Sequence, residues 1–334
     1  MSEPTRMSNR LLEVKNVRKV FGRGGIGRQH ETIALDDFSL TLYDDEPKIT
    51  AIAGESGSGK TTLARLILDF IKPTSGEILW RGRNIHKMSK KELMSYRHEC
   101  QAVFQDPYAA FNPFYRVDHL FHMAVTEFKL ARRKADEARI IGDALEVVGL
   151  RPGEILGKYP HQLSGGQRQR LMVARAFLLK PRLIVADEPV SMIDASLRAM
   201  ILDIMLKLKD DFGISFLYIT HDLSTAYQIS DRIFILYEGT VSETGDATRV
   251  IGNPQHPYTQ LLIGSVPNPD PALKWSEDIE VSAEEELGKG DKAGCKFYSR
   301  CPHAMEECHQ SPPRLYEVGE DGHYASCFLY KGSG

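Results

Sequence analysis

No stretch of about 18 or more apolar residues occurs in this 334-residue chain, so nothing in it reads as a bilayer span. The first ten residues, Met1 to Arg10, are polar and lack the apolar run of a secretory signal. A cytoplasmic location follows as the expectation, and any work at a membrane needs another component as anchor. There is no excess of positive charge: the formal net charge is −3, so no global basic field points to nucleic acid. No internal repeat is visible. Cysteine is nearly missing from the first 290 residues, where Cys100 stands alone and reads as a small core residue. The other four, Cys295, Cys301, Cys308 and Cys327, crowd the last forty residues. In a reducing compartment that clustering points to a metal or cluster site rather than to disulfides.

What is present suits a globular chain of one large domain and a small appendage: 42% hydrophobic and 26% charged residues. Leu11 to Val20 and Ile33 to Leu42 read as strands around a Gly/Arg-rich loop, Gly22 to Arg28. Ile49 to Ala53, Leu183 to Ala186 and Phe216 to Thr220 are short apolar runs of the buried-strand type. Thr61 to Phe70 has helical spacing, and Ile233 to Glu243 reads as a hairpin turning at Glu238-Gly239. Strands alternating with helices predict a mainly parallel sheet. Strand signals thin out over about 90–176, with Val125 to Val148 reading as helical, so a helical subdomain is expected there. The main domain is expected over 11–263, a polar linker over 264–290 and a Cys-rich extension over 291–330.

Gly54-Glu55-Ser56-Gly57-Ser58-Gly59-Lys60-Thr61 fits G-x-x-x-x-G-K-S/T between a predicted strand and a predicted helix. Its glycines allow successive N–H groups to turn toward phosphate oxygens at a helix N-terminus. Lys60 is expected to reach the β- and γ-phosphates and the Thr61 hydroxyl to coordinate Mg²⁺, with Thr62 next to it on the phosphate side. Leu183 to Ala186 ends in Asp187 and Glu188. Two carboxylates at a strand end are commonly just solvated, but beside a phosphate loop Asp187 is the candidate for the Mg²⁺ shell. Glu188 is then the candidate general base for an attacking water.

Leu163-Ser164-Gly165-Gly166-Gln167, lying between that loop and Asp187, resembles the signature sequence of ATP-binding-cassette (ABC) ATPases. The resemblance covers about 11–263 and implies a P-loop NTPase ABC cassette. Its expected fold is α/β, with a mainly parallel sheet core, an antiparallel β subdomain and an inserted helical subdomain. It also implies roles for further positions. Gln105 resembles the glutamine that senses Mg²⁺ and the γ-phosphate, and His221 the switch histidine. Ser191-Met192-Ile193-Asp194 is similar to the D-loop, retaining Asp194 although the related importers usually carry Ala-Leu at the middle two positions. Phe21 stands where the family places an aromatic that stacks on adenine. Ser164 to Gln167 would act on ATP held by a second cassette, so a dimer closing on two nucleotides is implied.

Asn253 to Leu262 and Gln105 to Pro113 resemble segments of the oligopeptide/dipeptide/nickel importer subfamily, as does the tail with Cys295-x5-Cys301-Pro302, Cys308 and Cys327. The resemblance implies an ATP-hydrolysing importer subunit on the cytoplasmic face of the inner membrane. Its implied partners are a second ATPase subunit, two transmembrane permeases and, through the complex, an extracytoplasmic solute-binding protein. Peptides are the expected solute, with oligosaccharides or another solute as alternatives, and a soluble non-transport ABC ATPase as the alternative of another class. Four thiolates suit Zn²⁺ or an iron–sulfur cluster. Tight C-x-x-C pairs are missing, which fits zinc ribbons poorly, and some subfamily members hold a 4Fe-4S cluster in this tail. That cluster is the favoured expectation, with Zn²⁺ or no metal left open. His303 and His309 lie among the cysteines as bystanders or substitute ligands.

Overall fold

The alternation of Phe38, Leu40 and Leu42 with Asp37, Ser39 and Thr41 makes one face of a long strand apolar and the other polar. In a computed structural model of the protein, described over residues 9–22, 31–106, 110–265, 294–319 and 322–332, that strand is β2 (Thr32–Tyr43), antiparallel to β1 (Arg10–Phe21). The buried β3 (Ile49–Ala53) leads through the phosphate loop into α1 (Lys60–Ile67). β4 (Ser75–Trp80) and β5 (Arg83–Asn84) complete a four-stranded sheet in the order β2-β1-β4-β5. α2 (Lys90–Glu99) starts in a capping box between Ser89 and Glu92 and runs directly into β6 (Cys100–Val103).

A set of helices follows: α3 (Asp118–Glu127), α4 (Lys134–Val147), the one-turn α5 (Pro152–Ile155) and α6 (Gly165–Phe177). The chain returns through β7 (Leu183–Asp187), α7 (Ala195–Phe212), β8 (Ser215–Ile219), α8 (Leu223–Ile229), β9 (Arg232–Tyr237) and β10 (Thr240–Asp246). α9 (Ala247–Gly252) and α10 (Pro257–Gly264) precede the cysteine-rich segment, which holds α11 (Glu306–Gln310), β11 (Tyr316–Glu317) and β12 (Tyr324–Ala325).

The second sheet has the order β11-β12-β10-β9-β3-β8-β7-β6 among the described residues. The run from β9 to β6 is parallel throughout. Period-two alternation on these strands divides the interior in two. Leu183, Val185, Leu217 and Ile219 face the antiparallel sheet and α1, while Ile184, Ala186, Phe216 and Tyr218 face the helical side. Because β6, β3, β7 and β8 run in one direction, their carboxyl ends share one edge, where open α/β sheets place their ligands.

Three readings change on this structure. The stretch 125–148 is two helices, broken after Glu127 at Phe128 and Lys129, the latter with φ 54°. The range 90–176 contains a strand, β6, hydrogen-bonded to β7. Four residues including Gln101 carry too weak a pattern to announce it, and its partner supplies the order. The cysteine-rich segment joins the main sheet through β12, which pairs antiparallel with β10 at Glu243–Ala325 and Thr244–Tyr324. Most of the expected loop 22–28 and linker 264–290, and Pro107 to Ala109 of the segment after Gln105, lie outside the described residues. Among the described residues no helix is long and apolar enough to cross a membrane.

Candidate active site

The phosphate loop begins where the all-buried strand β3 runs out of partners. Gly54 has φ +143° and Gly59 φ +103°, and a Cβ at either would lie 2.1 Å from the Leu236 carbonyl oxygen or 2.3 Å from that of Ala34. Only glycine lets the loop sit this close to β9 and β2. Lys60, the first residue of α1, is buried and donates to the carbonyl oxygens of Gly54 (2.8 Å) and Glu55 (2.7 Å). Burial lowers its pKa, opposed by the charges of Glu188, Asp187 and Glu55. Ser58 is buried, and Ser56 and Gly57 are exposed at the rim; Thr62 is half-buried on the first turn.

The ends of the neighbouring strands converge on the same edge. Thr61 donates to Asp187 Oδ1 at 3.5 Å. Burial and then the adjacent Glu188 charge raise the Asp187 pKa, opposed by the Thr61 hydroxyl and the charges of Arg65 and Lys60, so two carboxylates share one partly buried site. A hydroxyl, an amide oxygen and a carboxylate are hard oxygen donors of the kind Mg²⁺ takes, and the donor set Thr61, Gln105 and Asp187 fits that ion. Glu188 has φ 47°, a conformation that costs a non-glycine residue energy and persists where the surroundings hold it. Its N–H donates to the Ile219 carbonyl of β8 (2.9 Å), while Ser191 Oγ donates to the Glu188 carbonyl (3.0 Å). Gln105 Nε2 donates to Glu188 Oε2 at 3.0 Å, and His221 Nδ1 lies 3.2 Å from the same oxygen.

Six of the residues singled out in the sequence thus meet: Lys60, Thr61, Gln105, Asp187, Glu188 and His221. Ser164, Gly165, Gly166 and Gln167 form a separate helix start. Ser164 accepts from Gln167 N–H (3.2 Å) and Gln167 Oε1 accepts from Ser164 N–H (3.0 Å). Gly166 packs against α7, where a Cβ would lie 2.7 Å from a methyl of Leu197. Asp194 is the residue before α7 and makes no side-chain cap bond there. Phe21, 43% exposed at the end of β1, has Lys19 Nζ 4.9 Å from its ring centre.

Sequence reasoning missed a second ring of contacts on the loop. Glu55 N–H donates to the Tyr258 hydroxyl (2.9 Å), and both Glu55 carboxylate oxygens accept from the Arg300 guanidinium (3.2 Å each). Tyr258 belongs to the His256-Pro257-Tyr258 segment, conspicuous in the sequence without a stated task. Arg300 carried no signal, being brought here from 245 residues away.

Cys295, Cys301, Cys308 and Cys327 are all free and line one cavity with Phe297, Tyr298 and Phe328. Burial pushes Cys295 up to about 11, with smaller contributions from Cys308, Cys301 and Cys327; burial also raises Cys301 and Cys327. Among the described residues no three His, Cys, Asp or Glu side chains are drawn to a common metal point, so the thiols share a cavity without being at ligand distance. Thiols are soft ligands by type, while the burial that raises Cys295, Cys301 and Cys327 works against the thiolate form that a metal requires. Cys100 is buried elsewhere, against Tyr96, and pushed up to about 12; it is a core residue.

A glycine cradle after a buried strand, a lysine at the helix start and two carboxylates on a neighbouring parallel strand define a P-loop nucleoside-triphosphatase cassette. The comparisons agree. The family model "ABC transporter" matches residues 35–191, and "Oligopeptide/dipeptide transporter, C-terminal region" matches 242–308. The chain is 37% identical to a putative oligopeptide transport ATP-binding protein, YkfD, of Bacillus subtilis, over 97% of this chain and 96% of the relative. It is 36% identical to the dipeptide transport ATP-binding protein DppF of Haemophilus influenzae, over 98% and 99%. Among solved structures, CbiO1 from Clostridium perfringens, part of an ABC transporter complex, matches with a TM-score of 0.63 at 26% identity, over 73% of this chain and 92% of that one. The ATP-binding cassette MJ0796, as a dimer in a post-hydrolysis state bound to ADP and Pi, matches at 0.61 and 26%, over 71% and 99%. The chain belongs to the ATP-binding subunits of ABC transporters, in the oligopeptide/dipeptide subfamily, and is an ATPase.

Proposed function

We propose that this chain hydrolyses ATP to drive uptake of oligopeptides or dipeptides, from the cytoplasmic face of the membrane. The peptide solute rests on the names of the relatives above, and the chemistry on one observation: Gln105 and His221 both address Glu188 Oε2. Glu188 orients the attacking water and takes its proton. Its strained backbone and two polar neighbours fix the direction of that carboxylate. Lys60 leaves the Gly54 and Glu55 carbonyls for the β- and γ-phosphates, and the N–H groups of Gly57 to Thr62 surround them. Thr61, Gln105 and Asp187 would hold Mg²⁺, which when bound neutralises charge on the triphosphate. Phe21 lies against adenine once Lys19 moves aside.

Ser164 to Gln167 and Asp194 serve the nucleotide of a second cassette, identical or homologous. The capping box takes up the Gln167 N–H, so the N–H groups left at the start of α6 are those of Gly165 and Gly166, at a helix end where a phosphate is favoured. The permease partners dock on the helical side. There a groove of about 200 Å³ is lined by Phe111, Tyr115, His119 and Met123, beside Phe114, which is 86% exposed; a permease helix of apolar face fits it. Cys295, Cys301, Cys308 and Cys327 would hold a 4Fe-4S cluster, which when bound would cross-link the extension; Zn²⁺ is the alternative. Iron content and visible absorbance of anaerobically purified protein separate the two. For the engine itself, deletion of the gene should abolish growth on peptides, and Glu188→Gln should fail to restore it while still binding ATP. Restoration by Glu188→Gln overturns the assignment.

A further inference from the structure

We infer that the Cys295–Cys301 loop is a positioning element for the phosphate loop, and that Arg300 and Lys296 carry its grip. This rests on the ATPase reading and adds to it a control of nucleotide affinity from outside the cassette's own motifs.

The grip has two points. Arg300 holds the Glu55 carboxylate through two bonds of 3.2 Å, and its guanidinium lies 5.8 Å from the Tyr237 ring centre and 5.6 Å from that of Phe297. The pairing with Glu55 raises the Arg300 pKa further. Lys296 donates to the Glu238 carbonyl (2.7 Å), in the β9–β10 turn, and the next residue, Gly239, donates its N–H to the Ser58 carbonyl (3.0 Å). The second and fifth residues of the phosphate loop are therefore both tied to one short segment. Glu55 is held by its N–H at Tyr258, its carbonyl at Lys60 and its carboxylate at Arg300, so its plane is fixed before nucleotide arrives. Bidentate Arg–carboxylate geometry fixes orientation as well as distance.

The same segment is set by its cysteines. Lys296 follows Cys295 and Arg300 precedes Cys301. Cys295 N–H donates to the Cys308 carbonyl (2.7 Å), Tyr298 N–H to the Cys295 carbonyl (3.0 Å), and Cys301 N–H to the Tyr298 carbonyl (3.2 Å). Buried Phe297, between the two cations, packs at 5.4 Å on Tyr237 and 5.5 Å on Tyr258. Whatever draws Cys295 and Cys301 together or lets them part moves Arg300 and Lys296 with them. The state of the thiols is thus read at the phosphate loop.

The test uses the full-length chain and Mg-ATP. Both Arg300 and Glu55 are partly exposed, so each tie is modest. Arg300→Ala should raise the ATP Kd and KM about three- to fivefold, with kcat changed less than about twofold. Arg300→Lys, which keeps the charge and loses the fork, should recover part of the affinity. Adding Lys296→Ala should raise Kd to about tenfold above wild type. Cys301→Ser should raise Kd in the same direction, and Arg300→Ala should add nothing further on top of it. A Kd for the Arg300→Ala, Lys296→Ala double variant equal to wild type overturns the grip. A Cys301→Ser chain that folds with wild-type Kd overturns the link to the thiols. If Cys301→Ser does not fold, hydrogen exchange of the 55–59 amides in Arg300→Ala decides, and unchanged protection there overturns the proposal. A wild-type chain that binds no ATP would instead overturn the underlying ATPase reading.

Discussion

The eight-stranded sheet ends in two different ways. At the carboxyl edge of β6, β3, β7 and β8, polar groups are clustered and partly exposed: Thr61 reaches Asp187 at a long 3.5 Å, and burial raises the carboxyl pKa of Asp187. At the other end, β10 and β12 surround Glu243, which is fully buried and well satisfied. It accepts from Gln255 N–H (2.9 Å), His256 N–H (2.8 Å) and His323 Nε2 (2.7 Å). Both ends bury charge. The first holds it in contacts that are long or partly exposed. The second saturates it, as a joint that must hold an extension to a cassette requires.

The contrast breaks most sharply at Glu188. Glu188→Gln should lower kcat by about 10²–10⁴ while moving Tm little, because the amide keeps the volume and loses the proposed base; an ATPase assay with a thermal melt on one sample checks both. Glu243→Ala should do the reverse, costing about 3 kcal/mol of stability by leaving His323, the buried His256 N–H and the half-buried Gln255 N–H unpaired. Denaturant unfolding measures that loss, and a wild-type midpoint would erase the distinction between the two ends.

Acid separates them next. Burial holds His256 down to about 4 against its ordinary 6.5. Its neutral ring accepts from Tyr258 N–H (3.0 Å) beside the Glu243 carboxylate. Between these values the unfolded chain binds the proton that the folded chain refuses, so stability should fall as pH drops from 6.5 toward 4. The full loss is roughly 3 kcal/mol. His256→Gln should flatten that slope, read from unfolding midpoints across the window. The smallest effect is expected at Ser164→Ala, where the lost cap costs about 1 kcal/mol of α6 stability. If its ATPase loss in a closed dimer is no larger than that, the signature turn works only as a cap.

The phosphate loop was legible because glycines, lysine and threonine must follow one another in fixed order. Strands 49–53 and 183–187 were legible because a parallel strand buried on both faces is an unbroken apolar run. β6 was not, since Cys100 to Val103 owes its extension to β7. The break near Lys129 was hidden because the residues on both sides of it suit a helix. Gln105, Glu188 and His221 could be singled out one by one. Their meeting at a single carboxylate oxygen needed three parallel strands to end together.

Sequence alone determined the local chemistry: a glycine-rich loop ending in Lys60-Thr61, a pair of carboxylates, a capped glycine turn and a group of thiols, each written in residues near one another in the chain. Tertiary structure decided what those pieces address. Arg300 meets Glu55 across 245 positions, and β12 fastens the extension to β10. Neither shows in a local pattern, because ion pairs and two-residue strands take their order from the surface they land on and not from their own neighbours in the chain.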